Sequence, residues 1–403
     1  MSRLDELIQK LCPNGVEYKK IGEICNISVG GDVPKNSMSK QKTEKYSVPI
    51  ISNGIGENAL YGYTDVPKVK EPGVTVAARG TIGYAEYRDY PFYPIIRLLT
   101  AIPKNATAVN TKYLYCCLQG KQYSIPMSGI PQLTSPELEK VSIPVPPLEA
   151  QREIVRILDN FTELTAELTA ELTARKKQYE YYRDTLLTFD DNNPLRSLIS
   201  HYCPNGVEYK KIGDIASIDR GGNLQKKDFC EHGIPCIHYG QIYTKYGLFA
   251  SKSYTFIDSE CASKQKFAHK NNIVMAVTSE NIEDVCKCVA WFGEEDAAVS
   301  GHSAIIRHNQ NAKYLVYYFH SSMFFLQKRK LAHGTKVIEI TPSDLLNVTI
   351  PVPPLEVQNQ IVQILDRFDA LCNDLTQGLP AEIEARRKQY EYYRDQLLTF
   401  KRA

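Results

Sequence analysis

The sequence predicts an α+β chain with a pseudo-two-fold internal repeat, in which two similar α/β heads are joined by two long antiparallel coiled-coil helices. Three observations predict it. The segment CPNGVEYKKIGEI at 12–24 returns as CPNGVEYKKIGDI at 203–215, IPVPPLE at 143–149 returns intact at 350–356, and KQYEYYRDTLLTF at 177–189 returns as KQYEYYRDQLLTF at 388–400. Self-similarity of this kind marks repeated structural units. After each IPVPP, apolar residues fall at alternating spacings of four and three, which is a coiled-coil seam. Between these blocks the two copies match only in outline: VPIISNG at 48–54 faces IPCIHYG at 234–240, and KYLYCCLQG at 112–120 faces KYLVYYFHS at 313–321. The connectors are shared while the heads differ, as expected of one architecture that presents two different surfaces.

Each head opens with a short amphipathic helix, LDELIQKL or LRSLISHY, and a turn at Pro-Asn-Gly. Strand-like runs follow, YSVPIIS, GVTVAARG and YPIIRLLTAI in the first head and IPCIHYG and NNIVMAVT in the second. Helical pieces near TKYLYCCLQGK and AKYLVYYFHSSMFFLQKR come late in each head. The first long helix carries its seam on Ile154, Leu158, Phe161, Thr165, Leu168, Leu172, Arg175, Tyr179, Tyr182, Leu186 and Phe189. The second carries Ile361, Leu365, Phe368, Cys372, Leu375, Leu379, Ile383, Arg386, Tyr390, Tyr393, Leu397 and Phe400. One extra step of four separates Leu379 from Ile383, a stutter that locally unwinds a supercoil. Gly378 and Pro380 sit there, so this helix kinks or breaks at that point. The segment DDNNPLRS joins the far end of the first helix to the second head within a few residues, so a compact second head makes the helices antiparallel. The resulting division is 1–142 and 190–349 for the heads, 143–189 and 350–403 for the helices.

At 403 residues, 43% hydrophobic and 23% charged, the chain is long enough for two cores and has no signature of disorder or of a disulfide scaffold. No apolar run approaches the roughly 20 residues that span a bilayer, and MSRLDELIQK lacks the apolar centre of a signal peptide. Eleven scattered cysteines suit reduced thiols and a cytoplasmic address. A net charge of +2 neither requires nor excludes nucleic acid.

The duplicated IPVPPLExQ block (Ile143 to Gln151, Ile350 to Gln358), each copy opening a long helix, and the repeated TAEL unit inside FTELTAELTAELTAR at 161–175 resemble the specificity subunits of type I restriction-modification systems, across essentially the whole chain. SVGGDVPKN and AARGTIG in the first head also look like loops of that family, whereas IDRGGNLQKK and AVTSENIED in the second depart from it. The resemblance implies a DNA-reading subunit with two target-recognition domains, each reading one half of a bipartite asymmetric site in double-stranded DNA. The helices would set the spacer and dock two modification (methyltransferase) subunits. The chain itself would be non-catalytic: S-adenosylmethionine comes with the modification subunits, and ATP and magnesium with the restriction (endonuclease and translocase) subunits. TAEL then acts as a ruler, because one unit adds about 6 Å of helix and DNA rises about 3.4 Å per base pair.

Reading base edges needs amide, hydroxyl and cationic side chains on loops, with lysine and arginine on phosphates. Head 1 offers Gly30 and Gly31 for close backbone approach, then Lys35, Asn36, Ser37, Lys40, Lys42, Asn53, Arg79, Thr81 and Gln132. Head 2 offers Arg220, Asn223, Gln225, Lys226, Lys227, His238, Tyr239, Gln241, Thr278, Ser279, Asn281 and Lys336. As a set they fall on loops that match between the copies and differ in identity. Cys230, His232, Cys236 and His238 lie close enough in sequence for zinc, but Cys236 and His238 align with Ile50 and Ser52 of the first copy, so no metal is expected. Phosphate-binding GxxxxGK[ST] and strand-linked GxGxxG loops are absent. The alternative is a coiled-coil scaffold that joins proteins without reading DNA, which would not need two divergent heads rich in polar loops.

Overall fold

The computed structural model describes residues 3–123 and 131–403. Contacts divide the chain into two units. Unit 1 holds residues 1–168 and 383–403, and unit 2 holds residues 169–382. Each unit is therefore one head together with half of each long helix. The division falls between the two TAEL units, after Leu168.

In unit 1 a four-stranded antiparallel sheet runs in the order Cys25–Val29, Leu99–Pro103, Gly73–Val76, Ala85–Arg88. The central strand Gly73–Val76 is buried at every position, so it reads as a continuous apolar run rather than an alternating one. A second sheet orders Met38–Ser39, Leu60–Thr64, Val48–Ile51 and Tyr93–Pro94, the last pairing parallel. Unit 2 repeats the first sheet as Ala216–Arg220, Ser303–His308, Ile273–Ala276, Cys288–Trp291, and extends it with Phe249–Ala250. Its second sheet keeps the parallel pair, Ile234–Ile237 beside Ala297–Val299, but has different flanking strands. The shared frame and divergent edges match the sequence pattern of the two copies.

The repeated IPVPPLExQ block forms the joint between head and helix. Each IPxP strand pairs with the YKK strand of the other repeated block, Tyr18–Lys20 with Ser142–Pro144 and Tyr209–Lys211 with Thr349–Pro351. The helix begins after the prolines, and its glutamine is fully buried: Gln151 accepts from the Asn110 amide at 2.8 Å and donates to the Ala108 and Pro146 carbonyls at 2.8 and 2.7 Å. Gln358 does the same with the Asn311 amide (3.0 Å) and the Pro353 carbonyl (2.8 Å). Asn110 and Asn311 are the N-caps of the head helices Thr111–Leu118 and Ala312–Phe319. Those helices add Tyr113 to the Pro144 carbonyl, Tyr314 to the Pro351 carbonyl, and the ion pairs Lys112–Asp159 and Lys313–Asp366.

The long helix Leu148–Leu187 is unbroken. Its partner is two helices, Leu355–Asn373 and Leu379–Leu397. The break is a turn in which Asp374 accepts from the Thr376 hydroxyl and from the Thr376 and Gln377 amides, which holds its carboxyl below the usual range. Gly378 passes so close that a Cβ would stand 2.5 Å from the Ala370 carbonyl oxygen, and Pro380 takes the first turn of the new helix, where it costs no hydrogen bond. Leu375, expected on the seam, lies in this turn and is 80% exposed. Helical periodicity cannot place a residue that is not in the helix.

Phe189 and Phe400, also expected on the seam, fall beyond the last helical residues Leu187 and Leu397, and Tyr393 stays 44% exposed; the remaining contacts run antiparallel within each unit. In unit 1 Phe161 stacks on Tyr393 with ring centroids 5.2 Å apart, while the earlier Leu158 shares a core with the later Leu397 and Phe400. In unit 2 Tyr182 stacks on Phe368, again at 5.2 Å, and Leu186 shares a core with Ile361 and Leu365. Phe161 and Phe368 are equivalent in the repeat, as are Tyr182 and Tyr393, so each stack is the other with the two helices exchanged.

Two expected elements differ. The run YPIIRLLTAI is two strands, Tyr93–Pro94 and Leu99–Pro103, parted by a turn in which Ile96 and Arg97 have φ of 54° and 59°. IPCIHYG ends as a strand at Ile237, and the helix Tyr239–Thr244 follows.

Replacing Gln151 by Ala strands one buried amide and two carbonyls, each costing about 1–3 kcal/mol when unpaired. We expect unfolding free energy to fall by about 3 kcal/mol in urea titration, against under about 0.5 kcal/mol for the exposed neighbour Arg152→Ala. Equal effects would show that the buried glutamine does not hold the joint.

Candidate nucleic-acid interface

In head 1 the strand Cys25–Val29 ends in Gly30 and Gly31, which run against the turn before Leu99–Pro103. The Gly30 amide donates to the Leu98 carbonyl at 2.8 Å, the Ile96 amide to the Gly31 carbonyl at 2.9 Å, and the Ile95 amide to the Ile51 carbonyl at 2.9 Å. A Cβ on Gly30 would stand 2.9 Å from the Ile95 oxygen, so the absence of a side chain is needed for this internal approach. Asn53 ties three loops together: it accepts from the Ala78 amide (2.8 Å), donates to the Ile96 carbonyl (2.6 Å), and its own carbonyl accepts from Thr81 (2.7 Å). Arg79 reaches Gln132, 53 residues on, with Nε at 2.9 Å and Nη2 at 2.6 Å from one amide oxygen, which leaves guanidinium donors uncommitted.

Gly30, Gly31, Asn53, Arg79, Thr81 and Gln132 are thus brought into one set of linked loops. The basic loop lies on another strand. Ser37 donates to Asp65 at 2.6 Å, and Lys40 donates to the Tyr61 carbonyl with its ammonium 3.6 Å from that ring's centroid. Lys42 lines a cavity with Tyr63, Glu86 and Arg88. Lys35 and Asn36 show no side-chain partner among the described residues.

Head 2 repeats the frame. The Gly221 amide donates to the Ser303 carbonyl at 2.9 Å and the Ser300 amide to the Ile237 carbonyl at 3.1 Å. In both heads the first of two glycines is bound to the last residue of the turn. Arg220 pairs with Glu339, and the short strands Thr278–Ser279 and Ile338–Glu339 pair beside it. Lys336 is exposed in the loop leading to that strand.

Several residues expected on this surface are engaged internally. His238 is 6% exposed and Gln241 7%. His238 accepts from the Gly240 amide and caps the helix Tyr239–Thr244, while Gln241 takes the His238 amide and donates to Thr255. Burial lowers the His238 pKa, favouring the neutral ring that an accepting Nδ1 requires. Both residues are inside because the chain turns helical where the sequence reads as strand. Thr278 is buried against His302, with Oγ1 at 3.2 Å from Nδ1, and Asn281 closes a local turn on Asp284. Tyr239 lies beside His302, centroids 4.9 Å apart. Asn223, Gln225, Lys226 and Lys227 are exposed around a short turn that Asp228 closes on the Gln225 amide.

Three residues here escaped the sequence. Lys328 is buried and donates to the Glu283 and Val285 carbonyls at 3.0 and 2.6 Å, which supports the loop carrying Ser279 and Asn281. Its only signal is a lysine in a helix with buried neighbours. Arg97 and His302 occupy the same place in the two turns; Arg97 was hidden inside the strand-like run YPIIRLLTAI, and His302 lies in a stretch that the sequence reading left unassigned. In the stretch CEHGIPC, Cys230 donates to the His232 carbonyl and Cys236 contacts Thr255. Among the described residues no group of three or more His, Cys, Asp or Glu is placed to hold a metal ion.

The model for the type I restriction modification DNA specificity domain matches residues 13–175 and 204–385, once over each head with the start of its helix. The chain belongs to this family. It is 30% identical over 99% of its length to the type I restriction enzyme EcoR124I/EcoR124II specificity subunit of Escherichia coli, covering 97% of that protein. It is 32% identical over 96% of its length to a putative specificity subunit of Haemophilus influenzae, also covering 96% of it. Two solved structures share the fold: a type I S subunit from M. genitalium (TM-score 0.52, 14% identity, 96% of this chain and 97% of that one) and a chain from a study of type I complex assembly and conformational transition (TM-score 0.61, 19% identity, 96% and 98%).

Truncating Asn53 to Ala unpairs the Ala78 amide and the Ile96 carbonyl and removes the tie across the loops. An expected loss of about 2 kcal/mol is read from the urea midpoint; an unchanged midpoint would mean that the loops hold their shape without it.

Proposed function

We propose that the chain is the DNA-specificity subunit of a type I restriction-modification complex, each head reading one half of a bipartite asymmetric site. The observation that carries this is the contrast within the repeat. The buried glutamine joint and the aromatic stack are the same twice, while the loops on the equivalent frame hold Asn53, Arg79 and Gln132 in one head and Tyr239, Thr278 and Lys336 in the other. A frame duplicated so closely with loops so different suits two sequences read by one device.

The helices set the gap between half-sites and dock two modification subunits. Tyr181 and Tyr392 are equivalent residues of KQYEYYRD, and both are exposed, at 67% and 61%, which suits two copies of one partner. The chemistry comes with the partners: S-adenosylmethionine on the modification subunits, ATP and magnesium on the restriction subunits. Among the described residues no helix is long and apolar enough to cross a membrane.

The test is to map modified adenines in DNA exposed to the assembled complex, with the native chain and with one TAEL unit added after Leu172. The native chain is expected to mark two unlike half-sites at a fixed gap. The longer chain is expected to mark the same two half-sites with the gap changed by one or two base pairs, since one unit adds about 6 Å of helix. Marks unrelated to any bipartite sequence would overturn the assignment, and an unchanged gap would overturn the ruler.

A further inference from the structure

The turns Ile95–Leu98 of head 1 and Ser300–Ser303 of head 2 are anchored alike at their ends and differ between them, since Ile96 and Arg97 have positive φ while Gly301 and His302 do not. In each, the first residue donates its amide to the end of the neighbouring parallel strand, at Ile51 or Ile237, and the last accepts from the first glycine of a Gly-Gly pair, Gly30 or Gly221. These bonds fix the correspondence: Ile96 with Gly301, Arg97 with His302. Between the same two anchors the third position therefore carries an arginine in one head and a histidine in the other, both exposed.

The turn of head 1 is also strained. Ile96 and Arg97 are consecutive non-glycine residues in the left-handed region, at φ 54° and 59°, and for a β-branched side chain this is a true outlier. The surroundings impose it through the Gly30 and Gly31 carbonyls, which accept from Arg97 and Ile96, and through Asn53 on the Ile96 carbonyl. Strain of this kind persists where the surrounding structure over-determines it and clusters at sites that clamp a ligand. Here it holds out Ile96, 45% exposed, and Arg97, whose guanidinium has no partner among the described residues. Lys68 adds a second cation at the turn: a Cβ on Gly31 would stand 3.4 Å from its Nζ. In head 2 His302 has Nδ1 at 3.2 Å from the Thr278 hydroxyl, so Nε2 is its remaining polar atom.

We propose that this turn is the base-contacting element of each head: Arg97 reads a guanine of the first half-site through its paired donors, and His302 contacts a base edge of the second. A planar guanidinium held on a fixed backbone suits the O6 and N7 acceptors of guanine in the major groove. The proposal rests on the chain being a DNA-specificity subunit.

The test uses the assembled complex and DNA duplexes in which each base pair of both half-sites is changed in turn, read as binding affinity. Arg97→Ala is expected to weaken binding to the native site roughly 5- to 150-fold, to flatten the preference at one base pair of the first half-site, and to leave the second half-site's preferences intact. Arg97→Lys keeps the charge and is expected not to restore that base preference, because lysine lacks the paired fork. His302→Ala is expected to change a preference in the second half-site only. Weakening that is equal on every duplex, full rescue by lysine, or unchanged preferences in Arg97→Ala would each overturn the proposal. A native complex with no sequence preference would overturn the underlying assignment instead.

Discussion

A buried side-chain amide fastens each head to its long helix. Gln151 and Gln358 each take the amide of the asparagine that caps a head helix and give their own hydrogens to carbonyls at the mouth of a long helix. A glutamine held at both ends in a dry interior tolerates little displacement, because an unpaired polar group there costs more than a hydrogen bond gains. The tyrosines on the Pro144 and Pro351 carbonyls and the lysine–aspartate pairs reinforce the same joint. Head and helix therefore behave as one body within each unit, and the sequence on either side of the joint is kept.

That fixity separates what is shared from what differs. The antiparallel sheet and the parallel strand pair recur in the same register, and the differences gather at their ends, on the turn after Pro94 or Val299, the loop after Ala78 or Val277, and at Gln132 in one head and the loop before Ile340 in the other. Even the backbone tolerates unlike residues there. The position of Gly83, at φ 85°, is taken in head 2 by Cys286 at φ 66°, whose thiol burial pushes up to about 12. Linking these loops through Asn53 in one head, and through Thr278 with His302 in the other, gives each a set geometry before any partner arrives, which lowers the ordering cost of binding.

Much of this was legible in the residues. The repeat announced two equivalent units, and the spacing of four and three placed Phe161, Tyr182, Phe368 and Tyr393 on the seam where they stack. Gly378 and Pro380 marked the break, although not that Leu375 would leave the seam with it. The loops were harder. Nothing in PIIRLL signals a left-handed turn, because isoleucine and arginine do not favour one, and only the glycines opposite and Asn53 impose it. His238 and Gln241 read as polar residues ending a strand, yet the helix that starts there draws them in as cap and cap partner. Local propensity yields to tertiary bonds at such positions. The family resemblance pointed to the function, while the residues proposed to contact bases came from geometry.

A joint that is the same twice makes the two unlike heads interchangeable. The Ile21 and Ile212 amides bond to Val141 and Val348 in the same way, at 2.8 and 2.9 Å, so residues 21–141 placed in the position of residues 212–348 bring the same asparagine, lysine and tyrosine to the second joint and give up the Gln310 and Tyr317 bonds to Gln358 and Asp366. Mapping modified adenines with the complex assembled around that chain tests the claim directly. The prediction is a site that carries the first half-site sequence twice, and retention of the native asymmetric site would contradict it.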